Sequence, residues 1–255
     1  MLYAVAGLVT GIVVGLTGVG GGSLMTPILV LLFGVSPASA VGTDLLYAAM
    51  TKSVGTLAHG FQGSVVWRIT GLLAAGSVPS AALTILALHQ AGPLDGAISG
   101  LIVRFLGYAL IITAAAMLAR PRLNAMAAAS TSRLSPSRRA AATVAVGAVL
   151  GVFVTLSSVG AGALGVTALI LLYPEVRTPE IVGSDIAHAV PLTLVAGLGH
   201  WLIGSVQFGI LGLLLLGSIP GILLGSLLSP RLPDRWLRGA LAAVLLLVGG
   251  RLAFF

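Results

Sequence analysis

Apolar residues in this chain do not alternate with polar ones. They run for a helix length at a time, separated by short segments rich in Gly, Pro, Ser and Arg. A hydrocarbon core about 30 Å thick takes about 20 helical residues to cross. Six runs meet that length: 38–60, 68–89, 97–119, 179–203, 207–229 and 235–254. Two more, 2–34 and 141–173, are interrupted near the middle by glycine or small polar residues. Their arms of about 15 residues are short for a crossing and suit a broken helical hairpin. The two-residue alternation of a membrane β-strand never persists. The pattern predicts an all-α polytopic membrane protein.

The pattern also repeats. At an offset of 140, Gly7, Gly11, Val19, Gly20, Gly22 and Leu24 meet Gly147, Gly151, Val159, Gly160, Gly162 and Leu164. At 141, Gly42, Asp44, His59, Gly63, Ser64 and Val65 meet Gly183, Asp185, His200, Gly204, Ser205 and Val206, and Gly76, Ser77 and Pro79 meet Gly217, Ser218 and Pro220. Glycine matches arise by chance in a chain with 35 glycines. Asp, His, Pro and Gly-Ser-Val falling into one register do not.

Composition sharpens the class. Hydrophobic residues make up 58% and charged residues 7%, which excludes a soluble globular domain and intrinsic disorder. There is no cysteine, hence no disulfide and no thiolate chemistry. Met1–Thr17 lacks a basic leading region, so no cleavable signal is expected. The formal charge of +7 comes from 13 Lys and Arg against 6 Asp and Glu, and the basic residues lie mostly between apolar runs. There they read as topology signals facing the lipid bilayer, with no nucleic-acid partner implied.

By the positive-inside rule the basic stretch 120–139, with Arg120, Arg122, Arg133, Arg138 and Arg139, is cytoplasmic, and so is the loop around Arg231, Arg235 and Arg238. Arg68 then starts its span inside, whereas the repeat-related span 207–229 ends inside. The halves are therefore expected to be inverted. Residues 1–119 form a first inverted repeat, 120–139 a basic cytoplasmic linker and 140–255 a second repeat, each repeat holding three full spans and one broken hairpin, with both termini outside. Inverted repeats are the architecture of many secondary transporters.

The chemistry concentrates at the breaks. The first reads Gly15-Leu-Thr17-Gly18-Val-Gly20-Gly21-Gly22-Ser23, the second Thr155-Leu-Ser157-Ser158-Val-Gly160-Ala-Gly162-Ala163. Each interior glycine costs a helix about 1 kcal/mol relative to alanine, and unwound backbone inside a bilayer is tolerated only where protein or a water-filled cavity covers it. The half-helix that follows offers free N–H groups and the positive end of its dipole to an anion. Thr17, Ser23, Ser157 and Ser158 add hydroxyls. Glycines that only let helices pack closely would leave the same trace, as in Gly7-xxx-Gly11-xxx-Gly15.

The run Gly11-xxx-Gly15-xx-Gly18-x-Gly20-Gly21-Gly22, then Pro27, then Ala38-Ser-Ala-Val-Gly-Thr-Asp44 resembles the TauE/SafE family of sulfite and organosulfonate exporters. The second half carries a weaker version ending in Val182-Gly-Ser-Asp185, with Ala161, Ala163 and Thr167 where the first half has Gly21, Ser23 and Pro27. The resemblance implies a permease of the bacterial inner membrane for small sulfur oxyanions or sulfonates, with the glycine-rich breaks near the pathway.

Ionisable residues deep in apolar runs are functional candidates, since exposing one to lipid costs about 2.5–3.5 kcal/mol or more. In span 38–60, Asp44, Lys52 and His59 lie within about 80° of one another around the helix, so all can face the bundle interior. Lys52 is the candidate cation for an anionic substrate. Asp44 would neutralise it in the empty site, and His59 could carry a proton. The second half has Asp185, His188 and His200 but Thr193 in place of Lys52. Snorkelling of Lys52 and interfacial packing of His59 and His200 are the competing readings. No cofactor is expected, and no His pair has zinc spacing.

The sequence thus favours a secondary carrier of a small anion, alternating access between its halves, with proton coupling as an option. No P-loop is present. An anion channel shares the same charges. An intramembrane enzyme built on Ser64 and His59 lacks a nucleophile elbow, so no enzymatic activity is expected. A monomer and an oligomer fit the pattern equally.

Overall fold

A computed structural model describes residues 1–17, 22–61, 63–92, 96–129, 134–228 and 234–254. Among them are ten α-helices and no strand. Helices α1 (Leu2–Thr17) and α2 (Gly22–Leu31) flank the first break. They are followed by α3 (Pro37–Phe61), α4 (Trp67–Gln90) and α5 (Gly96–Ala129). Helices α6 (Pro136–Ser157) and α7 (Ala163–Leu172) flank the second break, ahead of α8 (Thr178–Leu202), α9 (Phe208–Leu228) and α10 (Asp234–Phe254).

Six helices among the described residues are long and apolar enough to cross a membrane, but they are not quite the six read from the sequence. Helix α6 is one of them. Its 22 residues, about 33 Å of helix, begin at Pro136, five residues before the apolar run itself. Proline suits a first helical position because its missing N–H would have no partner there, and the Ser135 hydroxyl accepts from Arg138 N–H at 3.4 Å. The arm before the second break is therefore full length, while α2 and α7 have only 10 residues each. Helix α3 is long enough at 25 residues, yet its polar residues make it less apolar than the six. It is covered by protein instead: Val41, Asp44, Leu45 and Tyr47 are fully buried. Helix α5 continues through Pro121 to Ala129, so residues 120–129 of the basic stretch are helical.

Four close pairings build the bundle: α1 on α9, α4 on α6, α3 on α8 and α5 on α10. Small residues allow the approach, as expected where lipid tails offer no hydrophobic drive for helix association. A Cβ on Gly7 would sit 2.3 Å from the Leu214 carbonyl oxygen, and one on Gly147 would sit 2.2 Å from that of Leu73. One turn on, Gly11 meets Ser218 and Gly151 meets Ser77. Both pairs of helices are therefore parallel. Helices α3 and α8 are antiparallel, because Gly42 meets His200, Leu46 meets Gly197 and Gly55 meets Ile186. Contacts recur at the sequence offset: Gly42 lies against the Ser205 carbonyl and Gly183 against that of Ser64. Likewise Gln207 N–H donates to Thr43 Oγ1 at 3.0 Å and Val66 N–H to Ser184 Oγ at 2.8 Å. Leu83, Val149, Leu216, Leu223 and Leu247 are exposed on the outside of the bundle, as lipid-facing side chains must be.

Candidate functional site

The second break is a tight, protein-covered turn. Helix α6 ends where Ser158 enters the left-handed region at φ 57°, its N–H donating to Val154 O at 2.7 Å. The Ser157 hydroxyl donates to Phe153 O at 2.7 Å and accepts from Val159 N–H at 3.2 Å. Gly160 and Gly162 hold φ of 108° and 121°, conformations that L side chains rarely adopt. Helix α7 then starts at Ala163, with Leu164 N–H donating to Gly160 O at 3.1 Å. Ser157 and Val159 are fully buried.

Helices α3 and α8 carry charge onto this turn. Lys52, only 8% exposed, donates from Nζ to the Ala161 carbonyl at 3.1 Å and lies within electrostatic reach of both Asp44 and Asp185. It does not snorkel. Asp44 is fully buried; its Oδ2 accepts from Thr26 Oγ1 of α2 at 2.5 Å, and its Oδ1 has no hydrogen-bond partner among the described residues. The Ser158 hydroxyl faces Asp44 and is likewise without a bond. Asp185 is also fully buried, with no hydrogen bond within 3.5 Å of either oxygen among the described residues. It packs against Gly165 in the first turn of α7, and the groups acting on it are Lys52, the Gly162 amide and Arg120 of α5. Each acid thus rests against the opening turns of a short helix, where a dipole favours negative charge.

The histidines divide. His188 Nε2 lies 2.8 Å from the Ser77 hydroxyl of α4, and His200 Nε2 lies 3.0 Å from Thr155 O of α6. Both side chains are buried. Thr193, in the place of Lys52, spends its hydroxyl on Ala189 O at 2.7 Å. Gly20 and Gly21 lie outside the described residues. Thr17 ends α1, Gly22 and Ser23 open α2, and His59 lies in the last turns of α3; the side chains of Thr17, Ser23 and His59 lie outside the description. Arg104 is exposed on α5, away from this cluster. No group of three or more His, Asp or Glu suited to a metal ion occurs among the described residues.

Two neighbours escaped the sequence reading. Arg120 belongs by charge pattern to the basic linker, yet it follows Leu106, Leu110 and Met117 at helical spacing and continues their inward face. Tyr47 stands at the repeat position of His188, and its hydroxyl faces Ser218 as His188 faces Ser77. The offset of 141 pairs both sets, so the signal was present.

A cavity of about 600 Å³ opens where the start of α3 meets the ends of α4 and α8, lined by Ser36, Ser39, His89, Gly204 and Ser205. Ser205 N–H donates to His200 O at 2.8 Å, so the cavity floor adjoins the helix end that carries His200.

Comparison with known proteins fits this arrangement. Residues 3–252 match the family described as sulfite exporter TauE/SafE. The chain is 40% identical over 247 residues, 96% of each chain, to the probable membrane transporter protein YjnA of Bacillus subtilis (strain 168). A shorter likeness, 41% over 59 residues and 23% of this chain, links it to the probable membrane transporter protein YunE of the same organism, covering 22% of that protein. No solved structure matches significantly. A full-length family match and a relative of this identity over nearly the whole chain leave one assignment: the chain belongs to the sulfite exporter TauE/SafE family and is a multi-pass membrane transporter, not an enzyme.

Proposed function

We propose that the protein is a secondary carrier of a small anion, sulfite or a short organosulfonate, working by alternating access between two inverted halves in the bacterial inner membrane. The observation that carries this reading is the buried ammonium of Lys52, within electrostatic reach of Asp44 and Asp185 and tied to a carbonyl of the second break. A charge in that position is costly unless compensated. Two acids and one carbonyl compensate it, and an arriving anion takes over from them. The Gly162 amide and the Ser158 hydroxyl line the same turn as donors.

The inverted architecture draws support from helix directions. Helix α3 is antiparallel to α8, and α1 is parallel to α9. A short loop between α8 and α9 reverses the chain, so α1 and α3 point the same way and α2 must return between them as the second arm of a hairpin. The reciprocal contacts of Gly7 with Leu214 and Gly147 with Leu73 are those of two equivalent halves. With 120–139 cytoplasmic, both termini lie outside and the 600 Å³ cavity becomes an external vestibule. Pro79 and Pro220, inside α4 and α9, supply flexible points for rocking.

Proton coupling fits the two acids. Protonation of both acids, Asp44 and Asp185, frees Lys52 and Arg120 to hold the anion together; ionisation of either returns a cation to its carboxylate and releases the cargo. His188 and His200 are secondary carriers of the proton.

Uptake of labelled sulfite, taurine and sulfoacetate into proteoliposomes, against sulfate and chloride, tests this. Saturable, selective flux that a pH gradient drives uphill is expected. Unsaturable flux would replace the carrier with a channel, and no flux from folded protein would remove the sulfur-anion assignment.

A further inference from the structure

A second cavity, about 370 Å³, lies at the opposite ends of α4 and α6, lined by Arg68, Leu72, Pro136, Arg139 and Tyr173 among others. Its wall is built rather than accidental. The Arg139 guanidinium lies 5.2 Å from the Tyr173 ring centre and pairs with Glu175. The Tyr173 hydroxyl is held at 2.8 Å from that of Thr143. Arg68, on the other wall, is exposed and takes part in no ion pair among the described residues. Two arginines and no acid line the cavity among the described residues; of the acids at this end, Glu175 pairs with Arg139 and Glu180 with Arg177.

The position defines the ligand's surroundings. Helices α4 and α6 are parallel, so both begin at this cavity, and both are long enough to cross a membrane. Their first turns therefore sit at headgroup depth, with Trp67, 65% exposed, beside Arg68 in the place of an interfacial anchor. Two guanidinium groups from different helices match a phosphate, whose oxygens accept paired N–H bonds. Leu72 and Tyr173 offer the apolar surface that a free anion has no use for. Basic pockets between membrane helices bind anionic lipid headgroups on these grounds.

We propose that this cavity binds the phosphate headgroup of an anionic phospholipid, held between Arg68 and Arg139 with its glycerol end along Leu72 and Tyr173. The site is separate from the Lys52 cluster and does not depend on the transported substrate.

The test is thermal unfolding of the full chain in neutral detergent, titrated with phosphatidylglycerol or cardiolipin, with phosphatidylcholine and with inorganic phosphate. Near 100 times the dissociation constant, anionic lipid is expected to raise the midpoint by about 5–10 °C; phosphatidylcholine and inorganic phosphate are not. Arg68→Gln should lose at least half of the rise, whereas Arg122→Gln, an exposed arginine on α5, should keep it. Arg139→Gln also breaks the pair with Glu175, so Arg68→Gln carries the decision. An undiminished rise in Arg68→Gln, or an equal rise with phosphatidylcholine, would overturn the site, and an equal rise with inorganic phosphate would make it one for a free anion.

Discussion

Lys52 of α3 donates its ammonium to the Ala161 carbonyl at 3.1 Å, inside the unwound turn between α6 and α7. The contact joins residues 109 apart in sequence. It makes a backbone oxygen, freed because the helix is broken there, the local ligand of a buried cation. The same lysine lies within electrostatic reach of Asp44 and Asp185. Protein oxygens therefore stabilise the buried ammonium, and an anion at the proposed site would have to compete with them.

Lys52→Gln should leave the protein folded and lower transport kcat/KM by about 10- to 100-fold. A hydrogen bond made by a charged group is worth about 1.5–3 kcal/mol, and each 1.4 kcal/mol is a factor of ten. Lys52→Arg should recover part of the flux, because the charge persists while its geometry changes. Initial rates in proteoliposomes, normalised to folded protein, decide. Undiminished flux in Lys52→Gln would reject the assignment.

Asp44 accepts from Thr26 at 2.5 Å, which ties α3 to the short helix after the first break. Asp44→Ala leaves the buried Thr26 hydroxyl without that acceptor and should destabilise by about 1–3 kcal/mol. Asp44→Asn keeps an acceptor and the fold but cannot exchange a proton. It should therefore retain downhill flux while losing accumulation driven by a pH gradient. If Asp44→Asn still accumulates anion against its gradient, the proton lies elsewhere.

Much of this was legible in the sequence, for physical reasons. Gly7 and Gly147 fall in one sequence register, and each lets a neighbouring backbone within 2.3 Å of where a Cβ would stand, a demand that no other residue meets. Asp44, Lys52 and Asp185 stood out because charge in an apolar run is expensive. The start of α6 was misplaced because Arg138 and Arg139 end the apolar pattern, although Ser135-Pro136 already spelled a cap and a first turn. Arg120 falls in the basic linker by charge pattern because counting charges gives side, not secondary structure. The partnership of Lys52 with Ala161 is a tertiary fact that periodicity on one helix cannot contain.

Gly165 sets the position of Asp185. A Cβ there would lie 1.9 Å from Asp185 Oδ1, so Gly165→Ala must push the carboxylate away from Lys52 and the α7 terminus. Transport should fall at least about tenfold, at a stability loss of about 1–3 kcal/mol from overpacking. Gly209→Ala is the matched control. Its Cβ meets nothing within 4 Å, and alanine is the better helix former, so flux should hold and stability stay level or rise by about 0.5–1 kcal/mol. Equal loss in both variants would show that the effect is not local to the carboxylate.

The proposed inverted arrangement has a direct chemical readout, because the chain contains no cysteine and any introduced one is the sole thiol. Ser137, exposed in the first turn of α6, sits at the end of the bundle that carries Arg68 and Arg139; Ser36, exposed before α3, sits at the end that carries the 600 Å³ cavity. A membrane-impermeant maleimide applied to intact cells should label Ser36→Cys and spare Ser137→Cys, and permeabilised cells should label both. The reverse pattern would turn the molecule over without disturbing its repeats, since inversion makes the two halves exchange roles under such a flip. Labelling of both in intact cells would place the two sites on one side. That outcome contradicts the helix directions, because α3 is antiparallel to α8, α8 runs in the same direction as α4, and α4 is parallel to α6, so α3 and α6 start at opposite faces.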